Sequence, residues 1–125
     1  MNLLLDTHAL LRWLDASPSL SEIAKNKIAD VSNLVFVSAA VIWEIRIKQA
    51  LGKLKIPANF RQVLDRQPFE MLPITAEHAH AVGNLPPHHR DPFDRMLIAQ
   101  AKVEALTIVT HDSVFQQYRI PIIAA

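Results

Sequence analysis

Four of the twelve acidic residues stand where surface solvation alone explains them poorly. Asp6 and Asp112 each come just after a short apolar run that is typical of a buried strand. Asp94 falls in the first turn of a predicted helix, and Glu44 interrupts an apolar helical segment. Carboxylates that meet in one place need a cation, because two unit charges about 4 Å apart repel by roughly 4 kcal/mol at an effective dielectric near 20. Oxygen-only ligands favour Mg²⁺, for which Mn²⁺ can substitute, over Zn²⁺.

Each of these acidic residues also has a purely structural explanation, and the sequence leaves both open. The two that follow strands could cap the next helices. Asp94 could complement a helix dipole, with Asp91 as the N-cap residue. Glu44 could pair with Lys48, four residues further along the same helix. The hypothesis of an ion site therefore depends on all four carboxylates meeting in one place.

Short apolar strands alternate with helical patterns along the whole chain. Strand candidates cover residues 3–5, 34–37, 69–74 and 106–109, with a possible edge strand at 120–123. Such alternation is typical of a parallel sheet covered by helices on both faces. The sequence thus predicts an α/β fold, a single-domain α/β/α sandwich over residues 1–125 with a mostly parallel sheet of four to five strands. Ligands of such sheets bind at the carboxyl ends of the strands, where the acidic residues are predicted to lie.

Local capping signals set the predicted helix boundaries. Asp91 followed by Pro92 marks a helix start, since proline suits the first helical position. Ser19 and Glu22 have the spacing of a capping box.

Composition excludes several classes of function. The chain has 125 residues and a formal net charge of +1, so no global basic excess points to nucleic acid. It has no cysteine, which excludes a thiolate zinc site and a cysteine nucleophile, and its two glycines exclude a glycine-rich phosphate loop. We expect a cytoplasmic protein without a membrane segment.

A divalent ion held by carboxylates suits phosphodiester hydrolysis, because it can activate water and neutralise charge on the phosphate. Histidines offer a rival chemistry, metal-free RNA cleavage through the 2′-hydroxyl by acid and base catalysis. The candidates are His8, His88, His89 and His111. The adjacent pair falls in a loop, where we expect both rings to be solvated. A phosphatase with Asp6 as nucleophile is less favoured, because His8 stands where such enzymes place a second aspartate.

Positive charges and aromatic rings lie near the acidic residues in sequence. The positive side chains are Arg46, Lys48, Lys53 and Lys55 after Glu44, and Arg90 and Arg95 around Asp94. They could bind phosphate groups with a steep salt dependence, or be solvated helix ends. Trp13, Trp43, Phe93 and Phe115 are predicted to be core or interface residues rather than base-stacking platforms.

Four segments carry a resemblance to a known family. They are residues 3–11 (LLLDTHALL), 37–45 (VSAAVIWEI), 89–101 (HRDPFDRMLIAQA) and 108–112 (IVTHD). Together they resemble the PIN-domain ribonucleases, and more narrowly the VapC-type toxins of bacterial toxin–antitoxin pairs. The resemblance spans essentially the whole chain, in order.

The resemblance implies a parallel-sheet sandwich that binds Mg²⁺ or Mn²⁺ and cleaves RNA. It places the family's acidic residues on Asp6, Glu44, Asp94 and Asp112, and hydroxyl positions beside them on Thr7 and Thr110. The predicted substrate-binding residues are Thr7, Arg46, Lys48, Arg90, Arg95 and Thr110. It also implies a homodimer held inactive by a cognate antitoxin protein, with promoter DNA bound only through the antitoxin. The alternative from another class is a PIN-like module that binds protein or nucleic acid without turnover.

Overall fold

The computed structural model describes all 125 residues. The elements are β1 (Asn2–Leu5), α1 (Thr7–Leu14), α2 (Glu22–Ala29), β2 (Leu34–Ser38), α3 (Ala39–Ala50), α4 (Phe60–Asp65), β3 (Glu70–Leu72), α5 (Ala76–Val82), α6 (Pro92–Glu104), β4 (Thr107–Thr110), a 3₁₀ helix (Ser113–Tyr118) and β5 (Ile122–Ala124). No helix combines the length and the apolar character that crossing a membrane requires.

The five strands form one parallel sheet in the order β3-β2-β1-β4-β5. Leu4 of β1 lies opposite Phe36 of β2 on one side and Ile108 of β4 on the other. From β1 the chain builds outward to β2 and β3, and then returns to add β4 and β5 on the opposite side. The strand order thus reverses between β1 and β4. Ligands of open parallel sheets bind beside such a reversal, at the carboxyl ends of the strands. The predicted parallel α/β architecture is confirmed.

The central strands are buried because helices flank the sheet. Leu3, Leu4 and Leu5 of β1 expose no surface, and neither do Ile108 and Val109 of β4. Strands covered on both faces are apolar at every position instead of alternating. Full burial of each such side chain stabilises the fold by about 1.5–3 kcal/mol. The two strands that flank the reversal are therefore packed within the core, and their carboxyl ends lead directly from it to the edge of the sheet.

Two outer strands differ from the predicted bounds. β3 is limited to Glu70–Leu72, whereas residues 69–74 were predicted, because it pairs with β2 alone and nothing extends its ladder. β5 begins at Ile122, after Pro121, whereas the sequence predicted a strand from residue 120. Proline has no N–H to give to a ladder, although the Pro121 carbonyl still accepts a hydrogen bond from the Ile108 N–H.

The predicted capping box at the start of α2 is wrong. Ser21, directly before Glu22, is the N-cap residue, and its side chain accepts a hydrogen bond from the Ala24 N–H. The Ser19 hydroxyl pairs instead with another serine in the preceding turn. Leu20 is buried in the core, which fixes the chain so that Ser21 reaches the helix end.

Candidate active site

Two carboxylates of the predicted set meet on one imidazole ring. Nε2 of His89 lies 3.0 Å from Oδ2 of Asp94 and 3.0 Å from Oδ2 of Asp112. One ligand atom from each of the three residues lies within 4.8 Å of the other two. Asp94 stands in the first turn of α6 and Asp112 follows β4. A helix N-terminus and a strand end thus converge on a half-buried group of three ionisable side chains.

Asp6 lies deeper, at the carboxyl end of β1, and is only 5% exposed. Its Oδ2 accepts a hydrogen bond from the Thr110 hydroxyl at 2.6 Å, and its Oδ1 accepts one from the Ala9 N–H at 2.8 Å. The Thr110 Oγ1 in turn accepts the Asp112 N–H at 3.0 Å. Thr110 therefore connects Asp6 with Asp112 across the point where the strand order reverses. Burial raises the pKa of Asp6, and the hydrogen bond from Thr110 opposes that rise.

Glu44 reaches the same region from α3 and is also 5% exposed. Its Oε1 accepts a hydrogen bond from the Thr7 hydroxyl at 2.6 Å, and its Oε2 pairs with Nζ of Lys48 at 2.6 Å. The ion pair with Lys48 is the structural explanation of Glu44 that the sequence offered. It is present together with the hydrogen bond from Thr7, the residue after Asp6. The hydrogen bond with Glu44 raises the pKa of Lys48, so this cation is held in its charged form.

The electrostatics of Asp94 show that the carboxylates act on one another. The pKa of Asp94 is raised from 3.8 to about 7, first by burial and then by the charge of Asp91. The charges of Glu44 and Asp6 raise it further, while His89 lowers it. Each negative neighbour makes a second negative charge harder to hold. The cluster thus has more negative charge than its own side chains neutralise.

This donor set fits a hard divalent cation. Apart from the His89 ring, the groups that converge here are carboxylate oxygens, with threonine hydroxyls that hold two of them in place. Such oxygens are the ligands that Mg²⁺ and Mn²⁺ select. A cation would also relieve the repulsion that raises the Asp94 pKa. Asp6 and Glu44 stand outside the group of three whose ligand atoms lie within 4.8 Å of one another, so binding by all four carboxylates stays a prediction.

Asp91 and Asp112 each cap a helix, and these caps are compatible with carboxylates that converge at one site. Asp91 is the N-cap of α6, as predicted, and its Oδ1 accepts the N–H groups of Phe93 and Asp94. Asp112 caps the 3₁₀ helix with Oδ1, which accepts the Val114 N–H, and turns Oδ2 to His89. Because Asp91 supplies the cap, the Asp94 carboxylate faces the cluster.

The structure distributes the predicted substrate-binding residues differently. Thr7 and Thr110 lie within the cluster, and Lys48 borders it through Glu44. Arg46 binds the Gln49 side chain, and its guanidinium carbon lies 5.3 Å from the centre of the Phe60 ring, on a different part of α3. Arg90 is exposed.

Arg95 binds the backbone of the chain itself. Its Nη1 donates to the carbonyls of Pro86 and His89, and its Nη2 donates to those of Val82 and Leu85. A contact with RNA would have to compete with these four carbonyls. The evident consequence of the contacts is that the loop between α5 and α6 is tied to α6.

His89 belongs to the site, although the sequence led us to expect a solvated ring there. The prediction of two solvated rings is right for His88, which is exposed, and wrong for His89, whose side chain is 18% exposed. Its N–H donates to the Tyr118 hydroxyl, 29 positions along the chain, at 2.6 Å. The other histidines proposed for acid and base catalysis, His8 and His111, are exposed. Spacing in the sequence gives no signal for a contact of this kind.

An apolar cavity lies beside the residues that precede two of the carboxylates. Trp43 and Phe93, next to Glu44 and Asp94 in sequence, pack edge to face with their ring centres 5.1 Å apart. With Ile74 and Met96 they line a cavity of about 460 Å³. Trp43 is 59% exposed, so it is an exposed residue rather than a core residue. Phe115 is fully buried, as predicted.

Comparisons with known proteins agree with this architecture. The family model described as "PIN domain" matches residues 3–121. A comparison with curated protein sequences finds no significant match.

Among solved structures, the chain resembles a chain of VapBC2 from Rickettsia felis bound to a DNA fragment from its promoter. The TM-score is 0.77 and the identity is 18%, over 99% of this chain and 98% of that chain. It also resembles a chain of DNA-bound VapBC from Salmonella typhimurium, with a TM-score of 0.73 and 18% identity over 99% and 98% of the two chains. A chain of a toxin–antitoxin complex from Klebsiella pneumoniae gives a TM-score of 0.65 and 15% identity over 98% and 96%. Identities this low establish a shared fold. Since the family model spans nearly the entire chain, the protein belongs to the PIN-domain family.

Proposed function

We propose that the protein is a Mg²⁺-dependent endoribonuclease, the VapC-type toxin of a toxin–antitoxin pair, and that residues 1–125 form its nuclease domain. The observation that carries the proposal is the convergence of carboxylates where the strand order reverses, with the pKa of Asp94 raised to about 7. Membership of the PIN-domain family and the likeness in fold to chains of VapBC complexes support it.

In this proposal the cation is held by Asp6, Glu44, Asp94 and Asp112, and Mn²⁺ can replace Mg²⁺ because both prefer oxygen ligands. When bound, the ion lowers the pKa of water and neutralises charge on the phosphate. The chain itself supplies the geometry. Thr110 fixes the Asp6 carboxylate and Thr7 fixes that of Glu44 through short hydrogen bonds, so the ligands need little rearrangement.

The expected products are a 5′-phosphate and a 3′-hydroxyl. The test is cleavage of end-labelled tRNA during titration with Mg²⁺, with and without chelator, using wild type, Asp94→Asn and Asp65→Asn. Asp65 is the matched control, because its carboxylate is 67% exposed on α4 and pairs only with Arg61 at 3.8 Å. We expect Asp94→Asn to lose activity by orders of magnitude while staying folded, and Asp65→Asn to keep it.

The same experiment separates the alternatives. Activity that survives chelation and leaves a 2′,3′-cyclic phosphate would favour the histidine mechanism over a metal-dependent nuclease. If wild type binds RNA without cleaving it, and Asp94→Asn binds RNA with the same affinity, a binding module without catalysis is favoured.

The proposed partners are RNA as substrate, a cognate antitoxin and a second copy of the chain. Promoter DNA is bound only through the antitoxin, and we propose that the protein acts in the cytoplasm. The likeness to chains of complexes, two of them bound to DNA, supports an antitoxin partner. Exposed apolar side chains such as Trp43 and Ile74 also suit a protein partner. Co-expression with the product of an adjacent small reading frame, followed by light scattering of the purified complex, tests both predicted assemblies.

A further inference from the structure

Both the backbone and the ring of His89 are held by contacts with other residues. Its backbone N–H donates to the Tyr118 hydroxyl at 2.6 Å, and its carbonyl accepts a hydrogen bond from Nη1 of Arg95 at 3.2 Å. Its Nδ1 accepts the Asp91 N–H at 3.2 Å, and its ring packs against Phe115 with the centres 5.8 Å apart. Contacts from two segments, the 3₁₀ helix and the start of α6, therefore fix both the backbone and the ring plane. A side chain fixed in this way is preorganised for a role.

The contact at Nδ1 decides which nitrogen carries the proton. A nitrogen that accepts an N–H has its lone pair in that bond, so the proton of the neutral ring is on Nε2. Nε2 is the atom that lies 3.0 Å from both Asp94 and Asp112. It therefore donates a hydrogen bond to Asp112, and Oδ2 of Asp94 lies at the same distance from it. To bind a metal, Nε2 would need a free lone pair. As long as Nδ1 accepts the Asp91 N–H, the proton stays on Nε2 and His89 cannot be a metal ligand through this atom.

From this geometry we propose that His89 is a positioning residue, whose Nε2–H bridges Asp94 and Asp112 and keeps both carboxylates oriented for a shared divalent cation without itself binding the metal. The inference rests on the proposed metal-dependent function. By distance alone, the His89 ring would count as a metal ligand together with Asp94 and Asp112. The proposal instead gives it the role of hydrogen-bonding to the carboxylates that bind the metal.

The bridge can act this way because a carboxylate offers about four lone pairs. Each Oδ2 can accept the imidazole N–H with one lone pair and face a cation with another. Without the bridge, Asp94 and Asp112 are like charges with side chains 23% and 39% exposed, and nothing else restrains Oδ2 of either. Their repulsion would favour a larger separation of the two carboxylates, and a cation would have to draw them together. Loss of such an outer hydrogen bond lowers metal affinity by about 10–100-fold in other sites.

A spectroscopic test addresses the assigned tautomer. Long-range ¹H–¹⁵N correlation of the imidazole resonances at about pH 8, where an ordinary histidine is neutral, should show the proton of His89 on Nε2. Pulsed electron paramagnetic resonance of the Mn²⁺-loaded protein should show no coupling to an imidazole nitrogen. A proton on Nδ1, or a coupled nitrogen that disappears in His89→Ala, would overturn the inference.

An affinity test addresses positioning. Mn²⁺ affinity is measured calorimetrically for wild type, His89→Ala, His89→Gln and His88→Ala, with circular dichroism to confirm folding. We expect about 10–100-fold weaker binding in His89→Ala. His89→Gln should recover part of the affinity, because its amide N–H can still donate. His88→Ala, in the same loop and exposed, should match wild type.

Equal or tighter Mn²⁺ binding by His89→Ala would overturn the bridge while leaving the nuclease proposal standing. Wild type that binds Mn²⁺ with this pattern but cleaves no RNA would support the bridge and overturn the nuclease. Wild type that binds no Mn²⁺ would overturn both.

Discussion

Asp94→Asn should make the folded protein more stable at neutral pH while removing its response to Mg²⁺. The side chain keeps its size and its place beside His89, but it loses a charge that the neighbouring carboxylates repel. Burial and then Asp91 raise the pKa of Asp94 to about 7, so the folded protein resists ionising this group. The substitution removes a group that the proposed function requires and that folding opposes, as is common at active sites.

The size of the effect follows from the pKa. Holding Asp94 ionised in the folded state, with a pKa of about 7 instead of 3.8, corresponds to about 4 kcal/mol above pH 7. The side chain is 23% exposed, and solvent screening reduces this to about 1–3 kcal/mol. Loss of the favourable interaction of the carboxylate with the N-terminus of α6 subtracts about 0.3–1 kcal/mol. A net stabilisation of the variant remains above pH 7.

The pH dependence has a definite sign. Because the folded pKa of Asp94 is raised, the unfolded chain releases this proton first as pH increases. The group therefore lowers the free energy of unfolding as pH rises from about 4 to about 7, and the loss is complete above that range. Asp94→Asn lacks this dependence. The difference between its free energy of unfolding and that of wild type should therefore grow by about 1–3 kcal/mol between about pH 5 and pH 8.

The assay is urea unfolding of wild type, Asp94→Asn and Asp65→Asn at both pH values, with and without Mg²⁺. At a Mg²⁺ concentration about 100 times the dissociation constant, wild type and Asp65→Asn should gain about 2.7 kcal/mol and Asp94→Asn much less. The reasoning is refuted if Asp94→Asn is less stable than wild type at pH 8, or if Mg²⁺ stabilises all three proteins equally.

Three further predictions concern neighbouring contacts. Mg²⁺ affinity measured by calorimetry should rise about tenfold per pH unit below pH 7 and level off above it, because Asp94 must lose its proton; a flat profile would contradict the raised pKa. Thr110→Val should lower the free energy of unfolding by about 1–3 kcal/mol and weaken Mg²⁺ binding, because Oδ2 of Asp6 loses its hydrogen-bond donor and the Asp112 N–H loses its acceptor. Unchanged stability in urea would show that these two hydrogen bonds contribute little. Arg95→Lys should increase amide hydrogen exchange in residues 83–90, because lysine cannot bind four carbonyls at once, whereas Arg90→Lys, at an exposed position, should not.

The sequence predicts this fold where the decisive signals are local. The runs that become β1 and β4 are mostly apolar and do not alternate, which is typical of central parallel strands, and both are found within one residue of the predicted bounds. Asp91 and Pro92 define the start of α6 within two residues, because both the cap and the proline act on their own helix turn. The weaker predictions fall at the sheet margins, where strand length depends on one neighbouring strand.

The site is predictable only as far as the topology brings its residues to one edge. Asp6 and Asp112 were expected there because each follows a strand of a parallel sheet. The structure places those two strands side by side, and Thr110 joins the two residues directly. The contact between Thr7 and Glu44 spans 37 positions, and the contact that fixes His89 spans 29. No periodicity or spacing encodes such pairings, since they arise from tertiary packing.

The most direct test of a cation shared by these carboxylates is an anomalous difference map from crystals soaked in Mn²⁺. We predict a peak between Asp94 and Asp112, with oxygen ligands near the roughly 2.1 Å typical of Mg²⁺ sites and with Asp6 and Glu44 facing the same ion or its waters. A map without a peak at this edge of the sheet, or with Mn²⁺ bound only elsewhere, would contradict it.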